Sequence, residues 1–430
     1  MNDKITKRSP WSWIPTLYFA EGIPYVVVAT AFSTTMYKRL GISNTDIAFF
    51  TSLLYLPWVI KSLWSPFVDI IKTKRWWIIT MQLLISAGLT AVAFLIPMPF
   101  FFKATLAILW IIGFSSATHD IAADGFYMLT LNSSEQSFFV GIRSTFYKLA
   151  MLSGQGLFVI IAGFLEQYTG KIRLAWSVTF FIISGMFCLL FLYHRFILPK
   201  PNSDITKTNG TPKEIFREFG LTFASFFKKK GIILAITFML LYRLGEAMLV
   251  KMASPFLLDP RSVGGLGLST EQQGLVYGTV GVIALIVGGI VGGIAASRKG
   301  LKYWIWPMAL SITLPHLAYV YLSWFLPTSF LLINIAVAVE QFGYGFGFTS
   351  YMLYLIYFAD GEHKTAHYAI CTGFMALGMM LPGMLAGWLQ NLLGYQHFFV
   401  WIVILAIPTL AVIPFLKIDK EFGKKKTPNL

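Results

Sequence analysis

Long apolar runs broken by short polar turns dominate the chain. A membrane-crossing helix needs about 20 consecutive apolar residues. Runs of that length predict spans near 11–37, 46–69, 76–97, 104–130, 138–165 and 174–197, then near 231–258, 270–296, 303–325, 328–358, 365–391 and 397–416. The polar stretch between the two sets is rich in Pro, Asn, Ser and Gly and reads as a linker, with a surface helix expected from Glu214 to Lys228. The pattern predicts an all-α membrane protein of twelve transmembrane helices. Its expected parts are an N-terminal six-helix bundle over 1–197, a cytoplasmic linker over 198–230, a C-terminal six-helix bundle over 231–416 and a basic tail over 417–430. The apolar run after the basic first ten residues keeps Glu21 inside it and shows no small-residue cleavage site, so it is read as a retained span.

Composition agrees. Hydrophobic residues make up 56% of the chain and charged residues 12%, and the mean hydropathy is +0.68. A soluble domain carries about 25% charged residues, so this chain has too little polar surface to face water on all sides. The two cysteines, Cys188 and Cys371, fall within predicted spans and read as small packing residues, not as a disulfide framework or metal cluster. The net charge of +15 does not point to nucleic acid, because the charges follow topology. Lys and Arg concentrate at the N-terminus, in the second, sixth, eighth and tenth loops and in the tail, whereas the alternate loops hold only Lys38, Arg39, Lys103, Lys171, Arg173 and Arg261. Positive loops stay cytoplasmic, which places both termini on that side. Trp11, Trp13, Trp64, Trp76, Trp77, Trp304 and Trp306 fall near predicted span ends, as an aromatic belt does.

The chain also repeats. Leu17-Tyr18 followed by Glu21 recurs as Leu241-Tyr242 followed by Glu246. Leu40-Gly41-Ile42-Ser43 recurs as Leu266-Gly267-Leu268-Ser269, and Gly163-Phe164-Leu165 with Gly170 as Gly387-Trp388-Leu389 with Gly394. The near-constant shift makes the two halves parallel repeats, which is the arrangement of major facilitator transporters, with substrate bound at the repeat interface. A loop signature agrees with this. Ser65-Pro-Phe-Val-Asp69 followed by Arg75 resembles the cytoplasmic latch of that fold, and Gly292-Gly293 followed by Arg298 is a partial second copy. Asp69, Arg75 and Arg298 are therefore expected to serve gating. Paired glycines, Gly288 with Gly292, Gly289 with Gly293 and Gly383 with Gly387, permit close helix packing. Gly343-Tyr-Gly-Phe-Gly347 lies inside an apolar span and is not a nucleotide loop.

Ionisable residues inside a bilayer are expensive and mark functional candidates. Asp120 and Asp124 are four apart and share a helix face. Like charges side by side resist joint ionisation, which suits one of them to carry a proton. Neutralisation by Arg143 or Lys148, and direct contact with substrate, are the other readings. Glu21 and Glu246 occupy matching places in the repeat, and Glu340 has no partner nearby in sequence; all three are candidates for proton coupling. Arg243 lies three residues before Glu246 and either pairs with it or meets substrate. Lys61, Lys148 and Lys251 suit an anionic substrate group, with snorkelling as the bland alternative. His119, next to Asp120, is read either as a relay or as a packed, hydrogen-bonded histidine. No metal-ligand spacing and no nucleophile motif are visible, and no cofactor is expected.

Three motifs carry a family resemblance. Phe19-Ala-Glu-Gly-Ile-Pro24, Lys61-Ser-Leu-Trp-Ser-Pro-Phe-Val-Asp69 and Ser116-Ala-Thr-His-Asp-Ile-Ala-Ala-Asp124 resemble motifs of the AmpG muropeptide permeases, and Tyr147-Lys-Leu-Ala-Met-Leu152 is similar to a fourth. Asp120-Ile-Ala-Ala-Asp-Gly125 is equally similar to the related acetyl-CoA transporters. The resemblance implies a major facilitator fold and proton-driven import of N-acetylglucosaminyl-anhydro-N-acetylmuramyl peptides across the inner membrane. Lys61, Asp69, Asp120, Asp124 and Lys148 would be its functional positions. The expected protein is a monomeric secondary transporter whose partners are an amino-sugar cargo, protons and the bilayer. Import of another acidic metabolite, drug export, a membrane transferase or a sensor are the alternatives.

Overall fold

A computed structural model describes residues 8–131, 133–202, 204, 212–361 and 364–424, and every regular element among them is helical. The chain folds as two compact units, Met1–Leu40 with Ile60–Phe219, and Gly41–Val59 with Gly220–Leu430.

The helices run in order as α1 (Ile14–Ala29), α2 (Ala31–Arg39), α3 (Asn44–Leu53), α4 (Leu56–Ile70), α5 (Lys74–Leu95), α6 (Phe101–Thr130), α7 (Ser133–Leu152), α8 (Phe158–Thr169) and α9 (Ile172–Ile197). The linker helix α10 (Pro212–Phe227) follows, then α11 (Ile232–Leu241), α12 (Leu244–Leu258), the short α13 (Thr270–Gln273), α14 (Val282–Lys299), α15 (Leu301–Thr313), α16 (Leu317–Phe325), α17 (Phe330–Ala359), α18 (Lys364–Ile404) and α19 (Ala406–Val412). Among the described residues ten helical stretches are long and apolar enough to cross a membrane, or eleven with the pair α1–α2, which bends by 43°. One stretch, Ala366–Phe415, is 50 residues long and is interrupted at Gly394, with φ 68° and ψ 170°. It thus takes in the two expected spans 365–391 and 397–416, and the whole accommodates twelve crossings. Large apolar side chains such as Leu189, Phe196, Ile233 and Leu331 are left exposed on the outside, as a lipid-facing surface requires.

The repeat is visible in the backbone. Gly170 ends α8 at φ 65° and ψ 8°, and its counterpart Gly394 interrupts α18 at φ 68° and ψ 170°; the two differ in ψ, and both take the positive φ that favours glycine. Ser43 and Ser269 each cap a helix, accepting from the backbone N–H of Asp46 and of Gln272.

In the first unit, Trp13, Tyr18, Phe126 and Tyr127 form a buried core. Trp13 is fully buried and meets Phe126 edge-on, so it belongs to that core and not to an interfacial belt. The α1–α2 bend falls at Thr30, whose backbone is extended at φ −113° and ψ −163° and whose hydroxyl donates back to the Val26 carbonyl at 2.6 Å, competing with the helix ladder.

In the second unit, α14, α15 and α17 approach closely. A Cβ at Gly288 would strike the Phe342 carbonyl, at Gly292 the Thr349 side chain and at Gly347 the Met308 carbonyl. The Gly343–Gly347 run is thus a packing surface. Segment 41–59 packs here as well: Gly383 and Gly387 of α18 lie against Ser52 and Asn44 of α3. Asn44 Nδ2 donates to Gln390 Oε1 at 2.8 Å and to the Tyr395 hydroxyl at 3.1 Å. Both cysteines are free, with Cys371 buried in the apolar core. The linker helix docks through Phe226, fully buried against Phe358, Phe374 and His367.

Candidate functional site

Among the described residues, candidate side chains gather in one polar cluster in each unit, partly exposed in the first and buried in the second. In the first unit, α1 contributes Tyr18 and Glu21, one helical turn apart; α4 contributes Lys61; α6 contributes Asp120 and Asp124; and α7 contributes Arg143. Lys61 Nζ is ion-paired with Asp120 Oδ2. Arg143 donates to Asp124 Oδ1 at 2.8 Å, and the Tyr18 hydroxyl donates to the same oxygen at 3.1 Å. The Arg143 guanidinium also lies over the rings of Tyr18 and Tyr127, at 4.5 and 5.1 Å, a cation–π arrangement that fixes its plane. Glu21 is 7% exposed. It lies close enough to Asp120, Asp124 and Arg143 to feel their charges, and its Oε2 has no hydrogen-bond partner. The cluster therefore holds three carboxyls against two cations, and a single proton would balance it.

The other first-unit candidates fall elsewhere. His119 faces away from Asp120: its Nε2 lies 3.0 Å from Gln82 Nε2, Gln82 Oε1 lies 3.0 Å from His194 Nδ1, and His194 Nε2 lies 2.9 Å from the Thr16 hydroxyl. This buried chain joins α6, α5, α9 and α1. Because the Gln82 amide donates to His119 and accepts from His194, it fixes both tautomers. Lys148, half-buried on α7, makes no hydrogen bond or ion pair among the described residues. Arg75 binds the start of the linker. Its Nε donates to the Leu198 carbonyl at 3.2 Å, while the backbone N–H groups of Lys74 and Arg75 donate to Asp204 at 2.7 and 3.0 Å. A carboxylate is thus placed at the positive end of α5. The Asp69 side chain lies outside the described residues. Arg298 is exposed in the last turn of α14.

In the second unit, Glu246 on α12, His316 in a 3-10 turn and Glu340 on α17 converge, with one ligand-type atom of each within 4.8 Å of the others. All three are buried, at 1%, 2% and 1% exposure. His316 Nε2 lies 3.2 Å from Glu246 Oε2, and Gln341 Nε2 donates to Glu340 Oε2 at 2.9 Å. The spacing of Arg243 and Glu246 suggested a pair, and it does not form. Arg243 sits at the break between α11 and α12 with φ −110° and ψ 20°, so the three-residue rule of a continuous helix does not apply. Its guanidinium instead lies over Tyr344 and Phe348, at 5.1 and 4.8 Å, and donates to the Tyr344 hydroxyl. Lys251, 1% exposed, donates to Thr51 Oγ1 at 3.1 Å and lies 5.0 Å over the Tyr55 ring. Sequence reading gave no site role to Gln82, His194 or His316, and named Tyr18 only as part of the repeat; its i, i+3 spacing to Glu21 was the one local signal available for any of them.

Residues 16–366 match the profile of the Major Facilitator Superfamily. The chain belongs to that superfamily. It is 26% identical to the anhydromuropeptide permease of Escherichia coli over 95% of this chain and 80% of that protein. It is 28% identical to a Rickettsia conorii protein bearing the AmpG name, over 93% of this chain and 94% of that one. Among solved structures it resembles a D-xylose–proton symporter, with TM-score 0.69 and 13% identity over 97% of this chain and 99% of the other. It also resembles the nucleoside transporter NupG, with TM-score 0.65 and 16% identity over 93% and 98%. These two likenesses are of fold. With ten or more apolar crossings, the superfamily member is a multi-pass membrane transporter, and the likeness to AmpG proteins runs through nearly the whole chain.

Proposed function

We propose that this transporter imports anhydromuropeptides, fragments of the GlcNAc-anhydroMurNAc type, across the bacterial inner membrane in symport with protons, with both termini cytoplasmic. The name of the Escherichia coli relative supports the cargo, and the alternation of basic loops supports the orientation. The observation that carries the coupling is the charge balance of the first cluster. Among the described residues the cations that Glu21, Asp120 and Asp124 meet are Lys61 and Arg143. An excess charge in a partly desolvated site is costly, so the cluster favours holding one proton, and Glu21, its most buried carboxyl, with an unbonded Oε2, is the group that would carry it. Release of that proton leaves a net negative site whose pairings must rearrange, and this ties proton movement to a change of conformation. Lys148, on the same helix as Arg143 and without a partner among the described residues, supplies the charge for a cargo carboxylate.

Radiolabelled GlcNAc-anhydroMurNAc uptake into proteoliposomes, with and without an inward proton gradient, tests this. Accumulation only with the gradient is the expected result. Equal uptake in both conditions removes the coupling, and no uptake by folded protein removes the cargo.

A further inference from the structure

We propose that Glu246, His316 and Glu340 form a binding site for a divalent first-row transition-metal ion of the Mn2+ or Zn2+ class inside the second unit. The geometry comes first. The Glu246–His316 separation of 3.2 Å matches the edge of a coordination polyhedron with metal–ligand bonds of about 2.1 Å. The outer limit of 4.8 Å among the three donor atoms leaves a contraction of at most about 1.4–1.8 Å for the third arm.

Charge comes second. Neither carboxylate is ion-paired with a lysine or arginine among the described residues; the partner of Glu246 is His316, and that of Glu340 is Gln341. Two negative charges buried in a membrane protein need neutralising, and one divalent ion does so in full. The imidazole nitrogen selects among cations. Mg2+ and Ca2+ take oxygen ligands, whereas mixed imidazole and carboxylate donors suit Mn2+, Fe2+, Co2+ or Zn2+.

Independent features point into the same place. Glu246 Oε1 and Glu340 Oε1 are buried without partners, and so is the Tyr319 hydroxyl. Tyr319 is fully buried, one turn beyond His316, and within electrostatic reach of both carboxylates. It is placed to donate to a bound carboxylate or to a metal-bound water. The site also sits at two interruptions. Glu246 follows the α11–α12 break, and His316 lies in the turn between α15 and α16, where Pro315 halts the helix. Broken helices are where transporters place their ion sites. The Gln341 amide holds Glu340 in position, the support that a ligating carboxylate needs.

The full chain, purified on a histidine-free affinity tag and stripped with chelator, is titrated with Mn2+ followed by electron paramagnetic resonance, and with Co2+ followed by visible absorption. One ion per chain is expected. Glu340→Gln and His316→Gln should each weaken binding by about 100-fold or more at an unchanged melting temperature, the loss expected for one ligand of three. His397→Gln, which removes an exposed histidine elsewhere, should bind as the parent does. Absence of saturable binding overturns the site, as does binding that survives both substitutions. If the variants do not fold, X-ray absorption of the Co2+-loaded parent decides: one imidazole among oxygen ligands supports the site, and an all-oxygen shell overturns it. None of these readouts involves the cargo, so the result stands apart from the muropeptide reading.

Discussion

Lys61 and Asp120 are ion-paired in the first unit although 59 residues of chain separate them. Their side chains are 24% and 17% exposed, so the pair is partly desolvated and each charge depends on the other. Lys61→Met leaves the Asp120 carboxylate beside Glu21 with its cation gone. The expected loss is about 1–3 kcal/mol, below the 3–5 of a fully buried pair, and it is read as a lower melting temperature in detergent. Lys61→Met with Asp120→Asn removes both charges and should recover more than half of that loss. A double variant as unstable as the sum of the singles would show that the pair carries no coupling.

Asp124 is held by Arg143 at 2.8 Å and by the Tyr18 hydroxyl at 3.1 Å. Asparagine keeps the shape and one acceptor but removes the charge. The cluster then holds two carboxyls against two cations and has no need of a proton. Asp124→Asn should abolish gradient-driven accumulation while leaving counterflow exchange of labelled for unlabelled cargo. Undiminished accumulation in this variant would take the coupling away from the cluster.

The parts legible in sequence were those set by local spacing. Apolar run lengths predicted the crossings, the repeat shift matched Gly170 to Gly394, both of which stand at helix interruptions with positive φ, and four-residue spacing put Asp120 and Asp124 on one face. Pairings made by tertiary packing were not legible. Lys61 finds Asp120, His119 finds Gln82 and His316 finds Glu246 only after three or more helices have packed, and nothing near any of these residues names the partner. Arg243 and Glu246 show the reverse error. Their spacing suggested a pair, and a helix break at Arg243, two residues before Gly245, set them apart.

Two interleaved glycine pairs on α14 look alike in sequence and differ in place. A Cβ on Gly288 or Gly292 would collide with α17, whereas nothing lies within 4 Å of one on Gly293. Gly288→Ala should cost about 1–3 kcal/mol through overpacking. Gly293→Ala should be neutral, or stabilising by up to about 1 kcal/mol from helix propensity. Thermal unfolding of the two variants side by side checks the assignment, and equal effects would refute it.

Lys148 differs from the other buried bases. Lys61, Arg143, Arg243 and Lys251 all have protein partners, and Lys148 makes no hydrogen bond among the described residues. With no partner among the described residues, Lys148 is free under the proposed function to meet a carboxylate of the cargo. Lys148→Met keeps the length and apolar stem, so the melting temperature should stay within a degree or two, because no interaction is lost. One hydrogen bond to a charged group contributes about 1.5–3 kcal/mol, which corresponds to about a ten- to hundredfold rise in KM. The maximal rate should change by less than about twofold if binding and transition state lose the contact equally. The discriminating control is a cargo whose carboxyl groups are esterified: the parent should transport it with the raised KM, and the variant should show no further loss. If the acidic and the esterified cargo suffer equally from the substitution, Lys148 acts on the protein and not on the cargo charge.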